Sequence, residues 1–330
     1  MYHTPLNLTS WSGGMITERR VSTNGISINI AECGEGPLVL LLHGFPESWY
    51  SWRHQLEPIS AAGYRVVAPD MRGYGKSDKP TDISAYNQVE VVNDVIGLIS
   101  ALGYETAIVI GHDWGAPTAW SSALWFPDKV TAVGALSVPF QPRADTPPLE
   151  RMKAIFKDQF FYQLYFQEPG LAEKEWEADI RTNLLKFLYV ASGNRPADQI
   201  TKPRPANSDF LSDVSKPETL PPWLTEADLD FYTAEFDASG FRGPLNYYRN
   251  HNLTWELTAD KPTKILQPAL FAAGDRDGVI MMAAQVLKTM PEHVKDLRTS
   301  HLIPGIGHWT QQEAPDEVNC IILNFLDCLN

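Results

Sequence analysis

Two kinds of hydrophobic patterning divide the chain. Near its start, ERRVST (18–23) and ISINIAE (26–32) alternate polar and apolar residues on either side of Asn24-Gly25, a dipeptide suited to a two-residue hairpin turn. An antiparallel strand pair is predicted there. Three continuous apolar runs follow, PLVLLLHG (37–44), YRVVAPD (64–70) and AIVIGHD (107–113), as expected of strands buried on both faces. Between the last two, 87–102 carries Val91, Val95, Leu98, Ile99 and Leu102 at helical spacing and stops at Gly103. APTAWSSALWFP (116–127) reads as a helix closed by Pro127, and VTAVGALSV (130–138) as a strand. Strands alternating with helices predict an α/β architecture, a mostly parallel sheet with helices on both faces.

From 139 to 262 the pattern changes. Proline becomes frequent, β-branched runs vanish, and aromatic helical segments appear, such as FKDQFFYQLYF (156–166) and EADLDFYTAEF (226–236). The stretch 192–222, rich in Pro, Ser and Asp, is expected to form a long loop. The alternating pattern returns with PALFAAGD (268–275), a helix near 281–289, LRTSHLIPG (297–305) and a last helix over 318–329. The simplest organisation is a core domain of 1–138 and 263–330 with 139–262 inserted as an α-helical lid, or cap.

Composition narrows the partners. The 330 residues are 44% hydrophobic, ample for a large core, and the formal charge of −13 argues against nucleic acid and anionic membranes. Cys33, Cys320 and Cys328 give no disulfide framework and suit a reducing compartment. The opening MYHTPLNLTS lacks a basic-then-apolar signal and no apolar run could span a bilayer, so the expected location is cytoplasmic. The N-x-T triplets at Asn7 and Asn252 then read as chance.

The candidate chemistry centres on IVIGHDWGAPTA (108–119), where a strand breaks at GHDWG (111–115) and resumes as a helix. This is the context of a nucleophile elbow, a tight turn that projects its central side chain at a strand end. Taken alone, Asp113 could merely cap the following helix. Later segments argue otherwise. AAGDRDGVI follows a late strand and offers Asp275 and Asp277 as an orienting carboxylate; IPGIGHWTQ follows the last strand and offers His308 as a base. The order nucleophile, acid, histidine fits the elbow enzymes. HGFPESW (43–49) supplies the remaining part, an oxyanion hole from the backbone N–H groups of Phe45 and Trp114, with His43 and Glu47 orienting the loop. No G-x-S-x-G occurs, GKS at 75–77 lacks the first P-loop glycine because position 70 is Asp, and no His or Cys pairs have zinc spacing. Neither metal nor cofactor is expected.

A serine nucleophile suits an acyl carbon, whereas a carboxylate is already anionic at neutral pH and can displace a leaving group at saturated carbon. The product is an enzyme ester, which water activated by a histidine must cleave. The leaving group is alkoxide or halide. An alkoxide needs a proton, and tyrosines in FFYQLYFQEPG and FRGPLNYYRN could supply one, although lone tyrosines more often simply pack.

On HGFPESWYSWRHQ, APDMRGYGKSD, GHDWGA, FYQLYFQEPG, SGFRGPLNYYRN and GHWTQ, and over the chain from about residue 18 to the end, the sequence resembles the soluble epoxide hydrolases of the α/β-hydrolase superfamily. The resemblance implies the α/β-hydrolase fold and hydrolysis of epoxides to vicinal diols. It places the nucleophile on Asp113, the base on His308, the relay carboxylate on Asp277 (Asp275 second), and the ring-opening tyrosines on Tyr162 and Tyr248. Phe45, Trp114, Tyr162 and Tyr248 are also expected to line the substrate pocket. Tyr247 stands where many relatives have Trp. No counterpart of the N-terminal phosphatase domain of the mammalian members is expected. The implied partners are a small-molecule epoxide and water, with a homodimer allowed. The alternatives are a haloalkane or haloacid dehalogenase using the same aspartate, and a non-catalytic receptor on this fold.

Overall fold

Asn24 and Gly25 both take positive φ, 44° and 75°, and the turn they form joins β1 (Thr17–Thr23) to β2 (Ile26–Cys33) in an antiparallel ladder. The computed structural model describes residues 15–196 and 204–329. The Asn7 triplet and the 197–203 part of the expected long loop lie outside them. β3 (Leu38–Leu42), β4 (Arg65–Pro69), β5 (Ala107–His112), β6 (Val130–Leu136), β7 (Ile265–Gly274) and β8 (Val294–Ile303) complete an eight-stranded sheet ordered β1-β2-β4-β3-β5-β6-β7-β8. β2 meets β4 antiparallel; every pairing from β4 to β8 is parallel.

The apolar runs are continuous because both faces of the sheet are covered. Leu38, Leu40 and Leu42 join one buried cluster with α2 (Gln88–Ala101) and α3 (Gly115–Trp125). Val39 and Leu41 join a second with α1 (Leu56–Ala61) and α14 (Pro315–Asp327). This is the two-residue period of a strand, with hydrophobic side chains on both sides. Asn87 starts α2 by accepting from the Val89 and Glu90 amides, as an N-cap should.

Between β6 and β7 the described residues form seven helices. They are α4 (Pro148–Phe156), α5 (Tyr162–Tyr165), α6 (Leu171–Ala178), α7 (Ile180–Ala191), α8 (Glu226–Ser239), α9 (Arg242–Arg249) and α10 (His251–Leu257). Aromatic rings hold this excursion together: Trp176 stacks on Phe241 at 4.8 Å and Phe241 on Phe236 at 4.5 Å. It reaches the carboxyl ends of β3 and β5 through Phe45, whose ring lies 5.4 Å from Trp176 and 5.5 Å from Tyr248.

Two expectations are corrected. The aromatic run 156–166 is not one helix: Lys157 takes φ 47° after α4, and Gln159 bridges Pro205 before α5 begins. That backbone is satisfied by pairing across the excursion, with Phe160 N–H donating to Arg204 O at 2.7 Å. The helix near 281–289 is two helices, α11 (Gly278–Met282) and α12 (Ala284–His293). A short α13 (Thr310–Glu313) follows the His308 loop. Among the described residues no helix is long and apolar enough to cross a membrane.

Candidate active site

β5 ends at His112 and α3 begins at Gly115, leaving two residues to reverse the chain. Asp113 takes φ 48°, a left-handed conformation uncommon for a residue bearing a side chain, though aspartate adopts it more readily than most. The flanking glycines are needed for space. A Cβ on Gly111 would stand 2.0 Å from Gly115 O, one on Gly115 2.0 Å from Leu42 O, and one on Gly44 2.3 Å from the Asp113 Cβ. The elbow is thus pressed against the end of β3.

Two strand ends supply partners for the Asp113 carboxylate, and a third orients one of them. After β3, Phe45 N–H donates to Oδ1 at 2.7 Å. After β8, His308 Nε2 lies 3.4 Å from Oδ2. After β7, Asp277 Oδ2 accepts from His308 Nδ1 at 3.0 Å, while its Oδ1 accepts from Val279 N–H at 2.8 Å and caps α11. One carboxylate thereby both starts a helix and orients the imidazole. Asp275 is exposed and accepts from Gly305 N–H at 2.7 Å, a clasp between loops away from His308. The Trp114 amide makes no bond to the Asp113 carboxylate among the described residues.

Burial opposes charge on Asp113, but His308, His112 and the Phe45 N–H outweigh it and hold the carboxyl below its ordinary value. Burial likewise opposes a charged His308, and the two carboxylates on either side of its ring win, keeping it protonated well above the usual imidazole value.

Behind these groups lies a polar layer that the motifs only partly announced. Glu47, fully buried, accepts from Gly44 N–H at 3.0 Å and meets His112 Nδ1 at 2.8 Å. Burial would raise its carboxyl, yet His112 and the Gly44 amide bring it below the ordinary value. His112 Nε2 reaches His308 O at 2.8 Å, and Ser137 Oγ donates to the same carbonyl at 2.8 Å. His43 accepts from Met71 N–H through Nε2 at 2.9 Å and donates from Nδ1 to Gly44 O at 2.9 Å; burial lowers its basicity. His43 and Glu47 thus hold the loop, as the sequence suggested. The His112 and Ser137 links carry no local signature, since each supports a carbonyl more than 170 positions away.

Tyr162 opens α5 and Tyr248 lies in α9, with ring centres 5.9 Å apart. The Tyr248 ring is 5.0 Å from Trp114 and 5.5 Å from Phe45. Burial first, then the nearby Asp113 charge, makes both phenols weaker acids than a free one. The adjacent Tyr247 commits its hydroxyl to Arg72 O at 2.9 Å. The seven expected site residues are therefore brought together, from four strand ends and two helices of the excursion. This is where open parallel sheets place their sites.

Known proteins match almost end to end. The family described as alpha/beta hydrolase fold matches residues 37–315. Epoxide hydrolase A of Mycobacterium tuberculosis is 43% identical over 95% of this chain and 98% of its own. Epoxide hydrolase 2 of Siraitia grosvenorii is 40% identical over 94% and 98%. The solved structure of an epoxide hydrolase from an endophytic Streptomyces superposes with a TM-score of 0.93 at 45% identity, covering 97% of each chain. The family match over most of the chain, and identities of 40% to 45% over nearly its whole length, make this chain a member of the epoxide hydrolases of the α/β-hydrolase superfamily.

Proposed function

We propose that the protein opens epoxides to vicinal diols in two steps through an ester on Asp113, with 139–262 acting as the cap that brings Tyr162 and Tyr248. The observation that carries this reading is the Asp113 carboxylate itself, held at the elbow with positive φ, gripped at Oδ1 by the Phe45 amide and close to the buried Tyr248 and the partly buried Tyr162. Oδ1 already sits on an oxyanion donor, so Oδ2 is the attacking atom. It forms a bond to an epoxide carbon, that carbon's C–O bond breaks, and the ring oxygen takes a proton from Tyr162 or Tyr248.

Esterification cancels the Asp113 charge, one of the influences that keep His308 protonated. His308 then yields its proton to restore the phenol and becomes a base. It next removes a proton from water as the oxygen attacks the ester carbonyl, with Phe45 N–H, and Trp114 N–H as second donor, bearing the developing negative charge. Collapse of this intermediate frees the diol, which keeps the second water proton, and returns Asp113 to carboxylate and His308 to imidazolium. Asp277 orients the ring throughout. Atoms and charge balance over the cycle, and the partners needed are an epoxide and water.

Intact-protein mass spectrometry tests the scheme. Asp113→Ala should neither turn over nor gain mass. His308→Gln should gain the mass of one epoxide and stall. Multiple turnovers by His308→Gln at the wild-type rate would refute the second step. The double Tyr162→Phe, Tyr248→Phe variant should lose epoxide opening; full epoxide activity, or rapid halide release from alkyl halides, would instead favour the dehalogenase alternative.

A further inference from the structure

Five residues past His308, at the end of α13, the half-buried Glu313 turns back under the histidine loop. Its Oε2 accepts from Gly307 N–H at 3.1 Å and from Gly193 N–H at 2.7 Å, and its Oε1 accepts from Trp309 N–H at 3.1 Å. The amides on both sides of His308 thus end on one carboxylate. That carboxylate also binds the turn just beyond α7. His308 N–H itself donates to Ala191 O at 2.9 Å, in the last residue of α7.

The two backbones interlock closely. A Cβ on Gly193 would stand 2.1 Å from Gly305 O, and one on Gly307 would stand 2.2 Å from Gly193 N. A second clasp lies beside the first: Arg195 Nη2 donates to Arg276 O at 3.1 Å and Arg276 Nη2 to Arg195 O at 2.8 Å. The segment 191–195 of the helical excursion is therefore fastened to both loops that carry the acid–base pair.

We infer that Glu313 is a positioning residue for His308, which it holds in register for ester hydrolysis while tying that register to the seating of 191–195. Its bonds go to the histidine loop and the excursion, and none goes to Asp113 or Phe45. The first chemical step draws on the elbow, the Phe45 amide and the tyrosines. Only the second asks the imidazole to meet a water and a carbonyl carbon at once, where small misplacements are costly. Loss of Glu313 should therefore divide the two steps unequally.

This inference rests on the two-step reading, and the experiment separates the two. Glu313→Gln keeps shape and one acceptor oxygen; Glu313→Asp keeps charge with a shorter reach and serves as the second variant. With a chromogenic epoxide, rapid quench and intact mass should show ester formation within about twofold of wild type and ester hydrolysis slowed about tenfold to a hundredfold, so that ester accumulates during turnover. Equal slowing of both steps, or a lower Tm with no accumulated ester, would overturn the role assigned to Glu313. His308→Gln runs in parallel: no ester there refutes the two-step reading, whereas ester there but in neither Glu313 variant refutes this inference alone.

Discussion

Asp113 and His308 set each other's charge, and a single substitution should reveal it. Asp113→Asn keeps the side-chain volume and an oxygen for Phe45 N–H but removes one of the two carboxylates beside the imidazole. His308 should then titrate at lower pH than in wild type, as followed by imidazole NMR; an unchanged midpoint would mean that Asp277 alone holds the proton. Stability follows with a definite sign. Because the folded-state value of His308 is raised, its contribution is complete below the ordinary imidazole value and is lost as pH climbs through the raised one. In the variant that loss should start at the same pH but be complete at a lower one. The sequence exposed Asp113 and His308 because each sits in a turn of distinctive chemistry. It could not separate Asp275 from Asp277, two residues apart in one turn, since the choice depends on which one caps α11. Glu313 escaped notice because it acts on backbone amides, which leave no pattern in side-chain identity.

At the scale of elements, α3 and α8 meet constraints of opposite kinds. Helix propensity alone would have Gly115→Ala stabilise α3 by about 1 kcal/mol. The new methyl would lie 2.0 Å from Leu42 O, so backbone must move, and overpacking of this type costs about 1–3 kcal/mol or more. The collision should win, and thermal denaturation should show a lower Tm; an increase would mean the elbow is looser than its geometry. In α8, burial first and then the charge of Asp70 push Glu235 up to about 7, with Glu18 adding to Asp70 and Lys76 and Lys79 opposing. Its contribution to stability is complete below about 4.5 and is lost as pH rises through about 7. Glu235→Gln should therefore stabilise the protein above pH 7 by on the order of 1 kcal/mol; a denaturation series across pH that stays parallel to wild type would count against this. Helices with clear caps, such as α2, were readable to within a residue. The 156–166 run was not, because its bridge to Pro205 and the rings of Phe160, Tyr162 and Phe166, which meet Phe210, answer to partners more than forty positions away.

For the molecule as a whole, the sheet was the legible part. Strands buried on both faces announce themselves as unbroken apolar runs, and the helices between them imply parallel order. The packing of the helical excursion was far less legible, since rings drawn from α5 to α9 meet only in the folded chain. The full catalytic cycle also predicts where oxygen travels. In a single turnover in water enriched in heavy oxygen, the label should appear in Asp113 and not in the diol, as peptide mass mapping would show. Label in the diol would mean that water attacks the epoxide directly.

Phe45 has its amide on the Asp113 carboxylate and its ring among the aromatic side chains of the excursion. One residue therefore reports the fit of the helices to the carboxylate that the proposed scheme esterifies. An epoxide bulky enough to spread those rings would displace the amide as well, and the molecule would hold such a guest while handling it slowly. Discrimination against bulk is thus expected to appear in kcat more than in KM, with size judged at the moment of reaction and not at the door.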